Sequence, residues 1–336
     1  MFVYLTGRMI EGPPGIIVGP IAALFGFIIN FIFSIVDSIT PAGALGISII
    51  LITFIFRTLM LPAFIKMQKS NLKMRSLKPQ LDKIKEKYGD TKDPELKRKM
   101  MAEQQALYSN NGINPLASCL PMLATMPIFF AMMLIIRNIF LYVSPVGDIY
   151  AELSYFLVNY AFGDIEGFRN SIVIDIINSR MPANLEFAIY VEGLGIQIEN
   201  MSRAISSFSY EDWQGIFASA NPENLSQLQS IYNNKISIVT FVGINMVENP
   251  GWGFPGIIIP ILSGLTSFIA QYLQQRSMPV QGNLAFTKAM IIMMPAMMLF
   301  WTSFIAAGVG LYWIAGNIYQ IGQQYFIQKN LEKKGI

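Results

Sequence analysis

Charged residues vanish from five long stretches of this chain, and the lengths of those stretches set the first expectations. Residues 12–36, 115–136, 249–275 and 289–328 contain no Asp, Glu, Lys or Arg, and residues 43–64 contain one charge, Arg57. The run 43–64 spans 22 positions, about 33 Å as an α-helix, which matches a hydrocarbon core of roughly 30 Å. The run 289–328 has 40 residues, about 60 Å if continuous. That is twice a bilayer, so it is expected to fold back between Ser303 and Gly310. Five core spans follow: 43–64, 115–137 within the segment 114–141, 255–275, 288–303 and 308–328. The fold class is all-α, a polytopic membrane protein.

Between the first two spans the pattern changes to a one-sided stripe. Met67, Met74, Leu77, Leu81, Ile84 and Tyr88 recur among lysines at helical spacing. Gly89 and Asp90 break the stripe. Asp93 and Pro94 then supply an N-cap and a first helical residue, and Asn110, Asn111 and Gly112 stop a second helix marked by Leu96, Met100 and Leu107. Residues 65–113 are therefore expected to form a basic amphipathic helical hairpin. Two readings fit it equally, a solvated element that fixes topology beside anionic lipid and a docking element for acidic or nascent partners.

Charge orients the chain. Residues 66–103 carry twelve basic side chains against six acidic, whereas residues 142–254 carry four basic against twelve acidic. Basic loops stay on the cytoplasmic side, so the hairpin, the short loop 276–287 and the tail 329–336 are expected inside. The insertion 142–254 and the N-terminus are expected outside. The segment 12–36 is apolar around its helical part, about residues 21–36, and composition fits a sixth span and an interfacial helix equally. No small-residue cleavage site follows a basic start, so no removable signal is read.

Composition, 53% hydrophobic and 13% charged, excludes an ordinary soluble domain. With one cysteine, Cys119, and no histidine, neither a disulfide framework nor a Cys/His metal site is expected, and no cofactor. There is no GxxxxGK[ST] loop for nucleotide.

Arg57 is the candidate functional charge. It lies nine residues before Lys66, about 13.5 Å along a helix, too deep to be a rim residue. An arginine there costs roughly 3 kcal/mol on insertion scales, so it calls for a wet cavity or a partner, unless it snorkels to the inner headgroups. Polar side chains recur on three spans: Ser118 and Thr125 on the second; Ser263, Ser267, Gln271 and Gln274 on the third; Trp313, Asn317, Gln320 and Gln324 on the last. Thr53 stands one turn before Arg57. Such stripes serve as packing glue or as a polar lining. No core span offers a carboxylate to neutralise Arg57. Methionines crowd the second span (Met122, Met126, Met132, Met133) and the fourth, either as lipid-facing filler or as adaptable contacts.

These residues also resemble a family. Arg57-Thr-Leu-Met-Leu-Pro62, Leu77-Lys-Pro79, Asn114-Pro-Leu-Ala-Ser-Cys-Leu-Pro121 with Met126-Pro127, and Gly310-Leu-Tyr-Trp-Ile-Ala-Gly-Asn317 with Gln323-Gln324 look like the signatures of YidC/Oxa/Alb membrane protein insertases. The likeness covers residues 43–141 and 236–336. It implies a five-transmembrane-helix insertase core enclosing a hydrophilic groove open to the cytoplasm. The groove would be lined by Arg57, Thr53, Ser118, Thr125, Ser267, Gln271, Asn317, Gln320 and Gln324. The resemblance further implies a hydrophobic slide for clients on the second, third and last spans, at Met122, Met126, Phe129, Ile269 and Trp313, and a mobile hairpin. It turns the N-terminal helix, about residues 19–37 of the segment 1–42, into an interfacial one.

The function so implied is a non-enzymatic insertase and chaperone of the bacterial cytoplasmic membrane. It acts on nascent membrane proteins and lipid as a monomer, with a Sec-type translocon and the ribosome as further candidate partners and no nucleic acid substrate. Only eight residues follow Gln328, so the long basic tail by which some relatives engage ribosomes has no counterpart. Residues 142–235 match no family motif; their Phe/Ile/Tyr-rich segments suggest short amphipathic helices on the outer surface. The alternative is a small-anion or solute transporter with Arg57 as binding site. Against it, the span count is odd, neither half resembles the other, and the hairpin would be surplus.

Overall fold

The computed structural model describes residues 18–89, 93–113, 120–180, 190–191, 195–196, 198–276 and 284–332. These residues are almost entirely helical and fall into two compact units. One contains residues up to Ser48 and Ala131–Val247, the other Ile49–Phe130 and Glu248–Ile336.

The first unit begins with α1 (Val18–Ile39). Its inner face, including Ala22, Phe25, Ile29 and Phe33, is buried, while Leu24, Phe27, Phe31 and Ile35 form an exposed stripe that is equally apolar. The next parts in this unit are the C-terminal end of α6 (Leu120–Arg137), α7 (Ile139–Tyr142) and α8 (Ser144–Asn159). Helix α1 is tied to them at its middle. The Asn30 side chain accepts from the Ser144 amide at 2.8 Å, and Gly26 leaves room for the Tyr142 ring where a Cβ would collide.

The insertion then folds as α9 (Ile165–Arg169), α10 (Ile172–Arg180), β1 (Tyr190–Val191), β2 (Gly195–Ile196), α11 (Ile198–Ile205), α12 (Tyr210–Ser219) and α13 (Pro222–Val239). Short helices here start on strong local signals. Ser209 and Asp212 form a reciprocal capping box on α12, Asp164 caps α9, and Pro222 opens α13. Helix α8 packs against α11 and α13. The core is aromatic: Trp213 stacks near Phe208, Phe217 and Tyr232. The Lys235 ammonium lies over the rings of Tyr150, Trp213 and Tyr232 at 5.2 to 5.4 Å, which explains how a lysine can be buried here. A two-residue hairpin, β3 (Thr240–Phe241) and β4 (Ile244–Asn245), closes the unit. The described part of the insertion is thus a set of short helices packed around a shared aromatic core.

The second unit holds most of α2 (Ala44–Leu59), then α3 (Leu61–Ser76), α4 (Lys78–Tyr88) and α5 (Pro94–Asn110). The span expected to run unbroken over 43–64 stops at Leu59, and the chain bends by 55° into α3. Pro62 is the reason: lacking an N–H, it fits the first turn of a new helix and not the interior of a continuing one. The hairpin follows the sequence pattern closely. Asp93 accepts from the Glu95 amide at 2.8 Å as N-cap, and Gly89, at φ 60°, ends α4. Its first arm is two helices, because Pro79 begins a new one after Leu77. Met74, Leu77, Leu81, Tyr108 and Ile113 form the hairpin's own small core.

This unit also contains the rest of α6, with Pro127 inside it, and α14 (Ile258–Arg276), α15 (Leu284–Thr302) and α16 (Ala307–Glu332). The expected fold-back falls at residues 303–306. Helix α14 packs against both α15 and α16. Among the described residues, α1 alone is long and apolar enough to cross a membrane, and the bent pair α2–α3 passes together. Helices α14 and α16 have the length, and their Ser, Thr, Asn and Gln positions dilute their hydropathy.

Candidate functional site

Three helices of the second unit, α2, α14 and α16, bring the polar positions together. Arg57 leaves the last turn of α2 and meets α16, where its Nη1 donates to Oε1 of Gln320 at 3.4 Å. The amide of Gln320 passes the contact on, its Nε2 donating to Oε1 of Gln274 on α14 at 3.1 Å. Gly316 sits one helical turn before Gln320, and a Cβ there would stand 2.8 Å from Nη2 of Arg57. The guanidinium therefore lies directly against the backbone of α16. Arg57 is half-buried. Among the described residues no carboxylate pairs with it. Beside it, Thr58 and Tyr319 share a hydroxyl hydrogen bond of 2.9 Å, and Phe54 packs on the Tyr319 ring at 5.5 Å.

Deeper between α14 and α16, Asn317 donates to Ser267 at 2.9 Å and to Thr266 at 3.2 Å. All three are buried. This pair of bonds fixes the rotation of α16 against α14, and bonds of this kind between membrane helices contribute about 0.6 kcal/mol each. Thr53 is also buried, and its hydroxyl turns back to the Ile49 carbonyl at 2.6 Å. Gln324 is buried with neither amide atom bonded. Gln271 and Thr125 are half-buried. Ser118 and the side chain of Met122 lie outside the described residues.

The apolar candidates divide. Phe129 on α6 lies 4.7 Å from Trp313 on α16, and Trp301 on α15 completes the cluster at 6.4 Å from each. Met126 and Phe130 stand exposed beside it. Ile269 lies on the exposed stripe of α14 with Leu262, Leu265, Phe268 and Tyr272. Sequence reading missed Trp301, Thr266, Gly316 and the Thr58–Tyr319 pair. Helical phase offers a signal for one of them: Gly316 and Gln320 are four residues apart, so they share the face that meets Arg57.

No group of three or more His, Cys, Asp or Glu able to hold a metal occurs among the described residues. The groups at hand are one cation, several amides and hydroxyls, and an aromatic wall. They suit transient binding of a polar or acidic segment beside an apolar one.

Known proteins resemble this chain over most of its length. Membrane protein insertase YidC 1 of Bacillus anthracis is 25% identical over 311 residues, covering 92% of this chain and 82% of that protein. Membrane protein insertase YidC 1 of Halalkalibacterium halodurans is 26% identical over 285 residues, 85% of this chain and 70% of that protein. Membrane protein insertase MisCA of Bacillus subtilis is 46% identical over a shorter stretch of 83 residues, 25% of this chain and 31% of that protein. The profile of the 60Kd inner membrane protein family matches residues 36–176 and 216–334. With well over half of its length matched, this chain belongs to the 60Kd inner membrane protein family, that of the YidC/Oxa proteins.

Proposed function

We propose that this protein is a membrane protein insertase of the bacterial cytoplasmic membrane, in which Arg57 eases the polar, acidic ends of client proteins across the bilayer. The observation that carries the reading is the environment of Arg57: a cation on an apolar helix, held by an uncharged amide, with no carboxylate partner among the described residues.

Five spans form the core in this reading, namely α2, α6, α14, α15 and α16. Gln320, Gln274, Gln271 and Arg57 line a wet groove reached from the cytoplasm, while Asn317, Ser267 and Thr266 hold its wall together. The aromatic cluster of Phe129, Trp301 and Trp313, with Met126 at its edge, offers an apolar track for the client's own helix. Because the groove residues come from one unit of one chain, a single copy suffices.

A client's acidic residue costs roughly 3 kcal/mol at the bilayer centre, and a groove reaching half-way shortens that crossing. Contact with a guanidinium at an effective dielectric near 20 returns about 4 kcal/mol before desolvation is subtracted. The two magnitudes are comparable, so the arginine lowers the barrier without trapping the tail. Transfer of the client's apolar segment into lipid completes the step, and no nucleotide is consumed by this chain.

The test is insertion into proteoliposomes of a client with a short acidic tail, by the wild type and by Arg57→Ala and Arg57→Lys. Alanine is expected to abolish most of the activity and lysine to retain much of it. Full activity of the alanine form overturns the role of Arg57.

A further inference from the structure

We propose that Gln320 is the specificity-determining residue of this groove and Gln274 its positioning residue. Together they form an amide relay that aims the Arg57 guanidinium while leaving its charge uncompensated. The inference rests on the insertase reading above and adds to it the means by which the site selects a carboxylate.

The relay has a direction fixed by chemistry. A guanidinium only donates, so Gln320 must turn its carbonyl oxygen toward Arg57, as it does at 3.4 Å. Its NH2 end then faces away and requires an acceptor. Gln274 supplies one, with Oε1 at 3.1 Å. If Gln320 flipped, its NH2 would face the arginine, donor against donor. Gln274 therefore satisfies the NH2 end of Gln320 in the one orientation Arg57 can use.

A carboxylate in place of Gln320 would bind the arginine more tightly, through charge-assisted bonds, and would cancel the charge that an acidic client needs. The amide gives direction without neutralisation. At 3.4 Å its bond lies beyond the usual 2.7–3.2 Å range for N–H···O contacts. The cation is steered and its attraction is not consumed. Gly316 adds to this: with no side chain at that position, the guanidinium rests on α16. Among the described residues its remaining N–H groups have no side-chain acceptor, which leaves them for a carboxylate.

The experiment uses the full chain in proteoliposomes and two clients identical except for an acidic or a neutral short tail. The readout is the ratio of their insertion rates, measured on one preparation so that any loss of folded protein cancels. Gln320→Glu is expected to lower the ratio as far as Arg57→Ala does. Gln274→Met is expected to lower it about threefold, the size of one neutral hydrogen bond. Added to Gln320→Met, it should cause no further fall, as expected for two residues acting in one series.

A wild-type ratio in Gln320→Glu, or additive losses in the double variant, overturns the relay while Arg57→Ala still lowers the ratio. A ratio unchanged by Arg57→Ala itself shows instead that the reading beneath has failed, and the relay with it.

Discussion

At the scale of single residues, Gly316 separates function from folding most cleanly. A methyl group there meets the far end of a flexible side chain, since the close atoms are Nη2, Nε and Cζ of Arg57 at 2.8 to 3.4 Å. The arginine can swing aside at little cost. Replacing glycine by alanine inside a helix also favours folding by about 1 kcal/mol. Gly316→Ala is therefore expected to keep or raise the thermal midpoint of the purified protein while insertion of an acidic-tailed client falls severalfold. A variant that is both stable and fully active would show that the guanidinium has no need of the α16 backbone. Arg57 itself was legible in the sequence because a lone charge in an apolar run has no other explanation of equal cost. Its partners were legible only as stripes, since helical spacing says which residues share a face and not which of them meet. Asn317 and Ser267 came from separate stripes and form one contact. Gln324, on the same stripe as Gln320, is enclosed.

At the scale of elements, the hairpin carries an electrostatic clasp over its small core. Lys87 on α4 donates to both carboxylate oxygens of Glu103 on α5, at 2.8 and 3.1 Å. The hydrogen bond to Glu103 raises the Lys87 ammonium above the ordinary lysine range. The bond from Lys87, with a smaller one from Tyr88, holds the Glu103 carboxyl below the ordinary carboxylate range. A depressed carboxyl contributes stability that is present above its unfolded value, about 4.3, and is lost as pH falls through the lower folded value. A raised lysine contributes in full below its unfolded value, about 10.4, and the contribution is lost as pH rises through the higher folded value. The clasp therefore operates between those limits. Because both partners are at the surface, it is weak and screened by salt. Glu103→Gln is expected to speed amide exchange in residues 78–88 and 94–110 modestly at pH 7 in low salt, with the difference shrinking as pH falls through the depressed Glu103 value and vanishing in 1 M salt. A difference that persists in 1 M salt would trace the effect to packing instead. The hairpin was readable because its caps are local: Asp93, Pro94, Gly89 and Gly112 each act within a turn. The breaks at Met60 and Leu77 were not, since the apolar pattern runs through both and masks the signal of Pro62 and Pro79, which start new helices there. The body of the insertion was opaque for the opposite reason. Its helices are short, and its core, with Trp213, Tyr150 and Lys235, is assembled from segments up to 85 residues apart in the chain.

At the scale of the whole molecule, the charge pattern sets an expected direction across the membrane, and the placement of α1 sets the expected side of the N-terminus. Twelve basic residues in 66–103 and twelve acidic ones in 142–254 lead us to propose that the hairpin is cytoplasmic and the insertion outside. Helix α1, with 22 apolar-rich residues, is long enough to span, yet a surface position is expected if α6 ends at the outer face, as the proposed orientation has it. Asn30 and Gly26, near its midpoint, meet Ser144 and Tyr142, which follow the outer end of α6 by only a few residues. Were α1 a span, its midpoint would lie near the bilayer centre, about 15 Å below the surface. Residues 142–144 would have to descend with it. A surface position satisfies both contacts, and the exposed Leu24, Phe27, Phe31 and Ile35 would then rest in the outer leaflet. Because Cys119 is the chain's one cysteine, Cys119→Ala gives a background for single cysteines at positions 8, 99 and 211. In intact cells a membrane-impermeant maleimide is expected to label positions 8 and 211 from outside and to reach position 99 only after permeabilisation. Labelling of position 8 only after permeabilisation would make α1 a sixth span while leaving the other two assignments in place. Position 99 labelled in intact cells would reverse the orientation and turn the groove proposed around Arg57 away from the cytoplasm.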